Sequence, residues 1–181
     1  MLRDTPVCDF GWAAPAFQLP DAHGALHSLH QHLSPKGLLI AFICNHCPYV
    51  IAIADRLASD ARALIDDGIG VLAIMSNDFD SYPADAPDRM IEFAARHSFP
   101  FPYLVDKDQQ VARAYGATCT PDFFGLNGAG ALQYRGWFDD ARMGDANNRT
   151  PELVMAMRQI ATTGHGPQDQ TPSMGCSIKW R

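Results

Sequence analysis

The sequence predicts an α/β fold, a central mixed β-sheet flanked by helices, and three observations carry that expectation. Two apolar runs, Leu38-Leu39-Ile40-Ala41-Phe42-Ile43 and Ile69-Gly70-Val71-Leu72-Ala73-Ile74-Met75, read as strands buried on both faces. Between them Val50, Ala54, Leu57, Ala61 and Leu64 recur at helical spacing, while Arg56, Asp60 and Asp67 fall off that stripe. Strand, helix and strand in this order make a parallel β-α-β unit. Farther on, Phe123 to Leu126 and Ala131 to Arg135 bracket Asn127-Gly128-Ala129-Gly130, which supplies the positive-φ positions of a hairpin turn, so antiparallel edge strands should join the sheet.

The remaining elements follow from local signals. Pro15 to Leu19 and Ala25 to Leu29 alternate apolar and polar residues around Asp21-Ala22-His23-Gly24, an N-terminal hairpin extension. A long helix begins near Cys47. Asp85-Ala86-Pro87-Asp88 suits the first turn of another, with Met90, Phe93, Ala94 and His97 at helical spacing. Phe101 to Val105 reads as a short strand, and Asp106 to Tyr115 as a short helix that Gly116 can end. Thr150-Pro151-Glu152 opens a last helix carrying Leu153, Met157 and Ile160 on one stripe. Residues 163–181 form a polar tail rich in Gly and Pro, and Ile178 and Trp180 argue that it docks on the rest. There is no internal repeat and no linker, so 1–181 is expected to be one domain.

Composition narrows the function. The 181 residues hold 14 basic and 20 acidic side chains, with no basic run to neutralise nucleic-acid phosphates or grip an anionic membrane. Neither nucleic acid nor a membrane is an expected partner. No apolar stretch in Met1 to Asp9 resembles a signal peptide and no later run approaches a membrane span, so a cytoplasmic protein is expected. Five cysteines suit reactive or free thiols better than a disulfide framework.

Cys44-Asn45-His46-Cys47 stands where the first apolar strand gives way to the helix. Unpaired N–H groups and partial positive charge at a helix start stabilise a thiolate, which makes a cysteine nucleophilic at neutral pH. Cys47 shares the inward face of the helical stripe, whereas Cys44 precedes the helix and should be exposed. Cys44 is therefore expected to attack and Cys47 to resolve the mixed disulfide, with His46 holding positive charge near Cys44. The same spacing suits half of a zinc site, but Cys119 and Cys176 stand alone and supply no second pair. Cys119-Thr120-Pro121 precedes the strand at Phe123. If this loop faces the thiols, the Thr120 backbone is free to pair with an extended substrate, and Cys119 is a third thiol near the site. Pro121 is either cis or trans on this reading. Cys176 in the tail is a candidate extra redox thiol, Cys8 a surface or hairpin-edge thiol without a role, and Asp139, Asp140 and Arg142 a solvated turn.

Cys44-Asn45-His46-Cys47-Pro48-Tyr49-Val50, Ser76-Asn77-Asp78 with Tyr82-Pro83, Phe101-Pro102-Tyr103-Leu104, Cys119-Thr120-Pro121-Asp122-Phe123-Phe124, Asp139-Asp140 and Ser173-Met174-Gly175-Cys176-Ser177-Ile178-Lys179-Trp180 occur in the order found in the thioredoxin-family, peroxiredoxin-like redoxins. Over nearly its whole length the chain resembles that group, which belongs with the alkyl hydroperoxide reductases and thiol-specific antioxidants. The resemblance implies a thioredoxin fold, a proline loop opposite the C-x-x-C with Pro121 cis, and a thiol-disulfide oxidoreductase or antioxidant role. Peroxiredoxins are similar at Cys47-Pro48, their peroxide-attacking position, but have threonine where this chain has Cys44. They also hold peroxide with an arginine, and no arginine lies near Cys119 to Phe124 in sequence. Thioredoxins carry a buried acid in the strand before the C-x-x-C, where Leu38 to Ile43 has none.

The sequence thus points to a thiol-disulfide oxidoreductase using Cys44 and Cys47, with no metal or organic cofactor, a protein or small-molecule disulfide as substrate and an external thiol as reductant. The alternatives are a thiol peroxidase with Cys47 as the oxidised sulfur, and a non-catalytic module that binds zinc or a partner through the Thr120-Pro121 groove. The oligomeric state is left open.

Overall fold

A computed structural model describes residues 1–181. The chain runs β1 (Leu2–Asp4), β2 (Gln18–Pro20), β3 (Leu26–Ser28), α1 (Leu29–His32), β4 (Leu38–Phe42), α2 (Pro48–Asp66), β5 (Gly70–Met75), α3 (Pro87–Arg96), β6 (Tyr103–Val105), α4 (Gln110–Tyr115), β7 (Cys119–Thr120), β8 (Asp122–Leu126), β9 (Leu132–Tyr134), α5 (Glu152–Thr163) and β10 (Met174–Ser177). The central sheet is ordered β6-β5-β4-β8-β9. β4, β5 and β6 are parallel, and β8 and β9 join antiparallel to them. β8 is an interior strand and not the edge expected from sequence. All five of its residues are buried, and Gly125 leaves room where a Cβ would lie 2.7 Å from Met157 Sδ of α5.

β4 shows why its run is apolar throughout. Successive side chains point to opposite faces, so Leu39, Ala41 and Ile43 enter the core beneath α2, α3 and α5, with Val50, Phe93 and Met157. Leu38, Ile40 and Phe42 enter a second core with Phe17, Tyr115 and Phe124. The predicted N-terminal hairpin is β2-β3, and Gly116 closes α4 in the left-handed conformation at φ +60°. α2 opens with Pro48 at its first position, where no N–H donor is needed, and Cys47 is its N-cap. No helix is long and apolar enough to cross a membrane.

A second, small sheet is ordered β1-β10-β7 and has no counterpart in the sequence expectations. It fastens the tail. Cys176 lies opposite Leu2 on one side and opposite Thr120 on the other. Beyond it Ile178 is buried, its N–H donating to Thr118 O, while Trp180 packs under the Arg113 guanidinium. Asp139 also departs from expectation, being 1% exposed and not solvated. Arg56 donates to it from α2 at 3.0 Å, and Arg149 reaches both it and Asp60, which is why Asp60 is buried off the apolar stripe.

Candidate active site

The end of β4 and the start of α2 hold the two sulfurs. Ile43 N–H still donates to Ile74 O, so the chain leaves the sheet only at Cys44 and turns once before α2. Cys47 is 0% exposed, as its place on the helix stripe requires. Cys44 is 1% exposed, against the expectation that it faces solvent. Residues remote in sequence cover it: its Sγ lies 3.3 Å from Thr120 Oγ1, and the neighbouring Asn45 is tied to residues 84 and 85. As a thiol, Cys47 donates to Thr120 O at 3.1 Å. Thr120 therefore touches both sulfurs, one through its side chain and one through its backbone.

The two cysteines titrate in opposite directions. Cys47 is lowered to about 4, first by the hydrogen bond Cys44 gives it, with further donation from the Cys176 thiol and backbone N–H outweighing the cost of burial. Its position at the helix start adds to that stabilisation. Cys44 is raised well above the usual thiol value, because it is the donor in that bond, because it is buried, and because Asp85 is negative. Burial leads in pushing Cys119 up to about 12 and Cys176 and Cys8 up to about 11. Cys47 is thus the one cysteine lowered into the range where it is a thiolate at neutral pH. The lowered thiol is Cys47, where Cys44 had been expected to be the activated one.

Asp85 organises the other side of the turn and was missed as a site residue. It is 0% exposed, its Oδ1 accepting from Asn45 N–H at 2.8 Å and its Oδ2 from His46 Nδ1 at 2.6 Å and Asn77 Nδ2 at 2.8 Å. Burial raises the Asp85 pKa, but those donors bring it below the usual carboxylate value. His46 is raised, mainly by the Asp85 hydrogen bond, and its ring stacks on Tyr82. Its charge is matched to Asp85 and does not lower Cys44, as had been expected. Tyr103 closes this side from β6, donating to Asn45 Oδ1 at 3.1 Å. In sequence Asp85 resembled a helix-cap acid; the clue lay in Asn77, Tyr82 and Tyr103, all within the redoxin-like pattern.

Cys44, His46 and Asp85 each offer a ligand atom within 4.8 Å of the others. A cation there would have to displace the donors that already occupy both Asp85 oxygens.

Across the sulfurs, the Thr120-Pro121 peptide is cis. The Thr120 backbone is not free for a substrate, because β10 is already paired with β7. Cys119 does not join the thiol pair: its sulfur contacts Pro121 O at 3.8 Å. Beneath this loop Arg135, remote in sequence, donates to Asp122 Oδ2 at 2.9 Å and to Gly116 O at 2.8 Å. It serves the Asp122 carboxylate. Cys8 is half-buried against the second core. Beside Pro121 lies a cavity of about 360 Å³ lined by Tyr49, Ile53, Trp137, Phe138 and Met174 among others.

A β-α-β core with two thiols at the helix start and a cis-proline loop against them defines a redoxin of the thioredoxin fold. Residues 10–136 match the AhpC/TSA family, and the chain belongs to that family. A crystal structure of a hypothetical protein from Sinorhizobium meliloti 1021 is 38% identical with a TM-score of 0.93, covering 100% of this chain and 99% of that one. A Mycobacterium tuberculosis protein whose name assigns it provisionally to the peroxiredoxins is 24% identical over 155 residues, 86% of this chain and 88% of the relative. A secreted disulfide oxidoreductase of the same organism shares the fold at 20% identity and a TM-score of 0.56, over 65% of this chain and 80% of that one.

Proposed function

We propose that the chain is a thiol-disulfide oxidoreductase in which Cys47 attacks and Cys44 resolves. The observation that carries this is the contact between two buried thiols with opposed titration, Cys47 lowered to about 4 and Cys44 held protonated beside it. The thiolate attacks a disulfide sulfur and expels one thiolate, forming a mixed disulfide on Cys47. Cys44 then attacks the Cys47 sulfur and releases the second thiolate, and its proton passes to a leaving sulfur. Two electrons have moved from the dithiol to the substrate, and an external thiol returns them. The apolar cavity beside Pro121 is placed to seat part of the substrate or reductant.

The test is insulin-disulfide reduction by single variants. Cys47→Ser should lower turnover by on the order of a thousandfold or more, the scale of losing a nucleophile. Cys44→Ser should slow turnover while still letting Cys47 form a mixed disulfide, because Cys44 no longer resolves it. If Cys44→Ser abolishes all disulfide formation while Cys47→Ser accumulates a mixed disulfide, the roles proposed here are wrong.

A second reading, thiol peroxidase, is favoured by one observation: the thiolate is 0% exposed and followed by Pro48, a setting that a small peroxide can enter more easily than a folded substrate. Peroxide would oxidise Cys47 to sulfenic acid and leave as alcohol or water, and Cys44 would condense with it, releasing water. Rapid peroxide consumption without insulin reduction would select this reading.

A further inference from the structure

Neither sulfur of the pair has an open face, and the strand that closes it carries a third thiol. Cys44 and Cys47 are 1% and 0% exposed, while Cys176 is partly exposed. Cys176 stands opposite Thr120 in the β7-β10 register, and Thr120 O is the atom to which Cys47 Sγ donates. The approach depends on the next residue. A Cβ on Gly175 would fall 2.0 Å from Thr120 O, so only glycine lets this strand lie on the loop. Cys176 packs against the core cluster that contains Cys44 and Cys47, and its thiol and N–H help to lower Cys47.

β10 is built into the wall rather than laid over it. It is paired on both sides, Ser173 Oγ donates to Pro121 O at 3.1 Å, and Lys179 N–H donates to Asn77 Oδ1 at 2.8 Å. A partner cannot add a strand where β10 already lies, so whatever exchanges with the buried thiolate approaches along β10. Met174, which alternation places on the same face of β10 as Cys176, lines the apolar cavity beside Pro121.

We infer that Cys176 is the port of this site, the sulfur through which an external thiol or disulfide exchanges electrons with buried Cys47. The inference rests on the dithiol reading above. To reset the oxidised pair, the Cys176 sulfur attacks Cys47, breaking Cys44–Cys47 and forming Cys47–Cys176, and its proton passes to Cys44. An external thiolate attacks the accessible Cys176 sulfur, and Cys47 leaves as thiolate. A second external thiolate attacks the external sulfur of that mixed disulfide and frees Cys176. Two external thiols have become one disulfide, and one protein disulfide has become two thiols. Attack falls on Cys176 for two reasons: of the two linked residues it is the partly exposed one while Cys47 is 0% exposed, and the better leaving group is the thiol of lower pKa.

The experiment combines mass mapping with kinetics on the full chain. Wild-type protein titrated with diamide should yield a Cys47–Cys176 linked peptide alongside Cys44–Cys47, and Cys44→Ser should yield Cys47–Cys176 almost alone. Cys176→Ser should still form Cys44–Cys47, but glutathione should reduce it roughly tenfold or more slowly because access to the sulfur limits exchange. Gly175→Val, which pushes β10 off Thr120, should expose Cys47 to iodoacetamide and remove the Cys47–Cys176 peptide. The port is overturned if Cys176 is never linked to Cys47, or if Cys176→Ser is reduced at the wild-type rate. Should Cys47–Cys176 form in wild type and Cys44–Cys47 never form, the pair proposed under function fails while the port stands.

Discussion

The two walls around the sulfurs are built differently. On one side, residues 45–46, 77, 85 and 103 make a cage of side-chain hydrogen bonds centred on the buried Asp85 carboxylate. On the other, Thr120 and β10 present mainly backbone and sulfur, and the pieces come from the middle and both ends of the chain. The first wall fixes where the Cys44 to Cys47 turn sits. The second decides what can reach it and adds donors from Cys176 and Thr120 to the Cys44 hydrogen bond that leads in lowering Cys47. A cage satisfied in every direction resists change, whereas a strand ladder bearing a thiol can take part in exchange without leaving its place.

The largest stability effect should come from the base of the second wall. Arg135→Met leaves Asp122, 0% exposed, as a buried acid without its cation, and should cost about 3–5 kcal/mol of unfolding free energy at neutral pH. The penalty should shrink on acidification. Burial already pushes the Asp122 pKa up against the pull of Arg135, so without Arg135 the carboxyl protonates and the uncompensated charge disappears. Urea unfolding at neutral and mildly acidic pH would show this, and a pH-independent penalty would mean that Arg135 acts by packing on Phe124. Asp85→Asn comes next. One oxygen of the cage becomes a donor facing His46 and Asn77, which should cost about 1–3 kcal/mol for the unsatisfied group and leave the Cys47 thiolate nearly unchanged, as read by its ultraviolet absorbance. Thr120→Val should do the opposite, costing about 0.5–1.5 kcal/mol in stability while moving the thiolate titration, because the lost hydroxyl bonds Cys44 Sγ and helps to lower Cys47.

Legibility in the sequence follows the same division. β4, α2 and β5 were readable because an all-apolar run and a 3.6-residue stripe each have one plausible fold, and Cys47 was read as buried from its place on that stripe. Leu2-Arg3-Asp4 and Met174-Gly175-Cys176-Ser177 have no such pattern. All three residues of β1 are exposed, and they form a strand only because each segment finds the other. The exposure of Cys44 could not be read, because what covers it arrives from positions 85 and 120, and with the cover came the reversal of the two pKa values. Asp85 was visible as an acid before Pro87, yet nothing local tells whether its carboxylate caps α3 or turns inward to Asn45. The redoxin-like pattern contained Asn77, Tyr82 and Tyr103 without assigning them a task; their task is to hold that carboxylate and the histidine bound to it.

The smallest expected effect isolates the first wall. Asp85 has a native pKa below 3.8, so its contribution to stability is complete above that value and is lost as pH falls through the lowered native pKa. His46 has a native pKa above 6.5, so its contribution is complete below 6.5 and is lost as pH rises through the raised value. The pair should therefore stabilise the fold most between about pH 4 and 6.5, with a shallow decline on either side, since His46 is partly exposed and solvent screens its charge. Comparing wild type with Asp85→Asn at each pH cancels the other titrations. The difference in urea midpoint should be widest inside that window, and the His46 ring resonances of the variant should titrate closer to 6.5. A difference that kept growing above pH 8 would trace to the sulfurs instead, and would show that the cage and the thiolate are coupled.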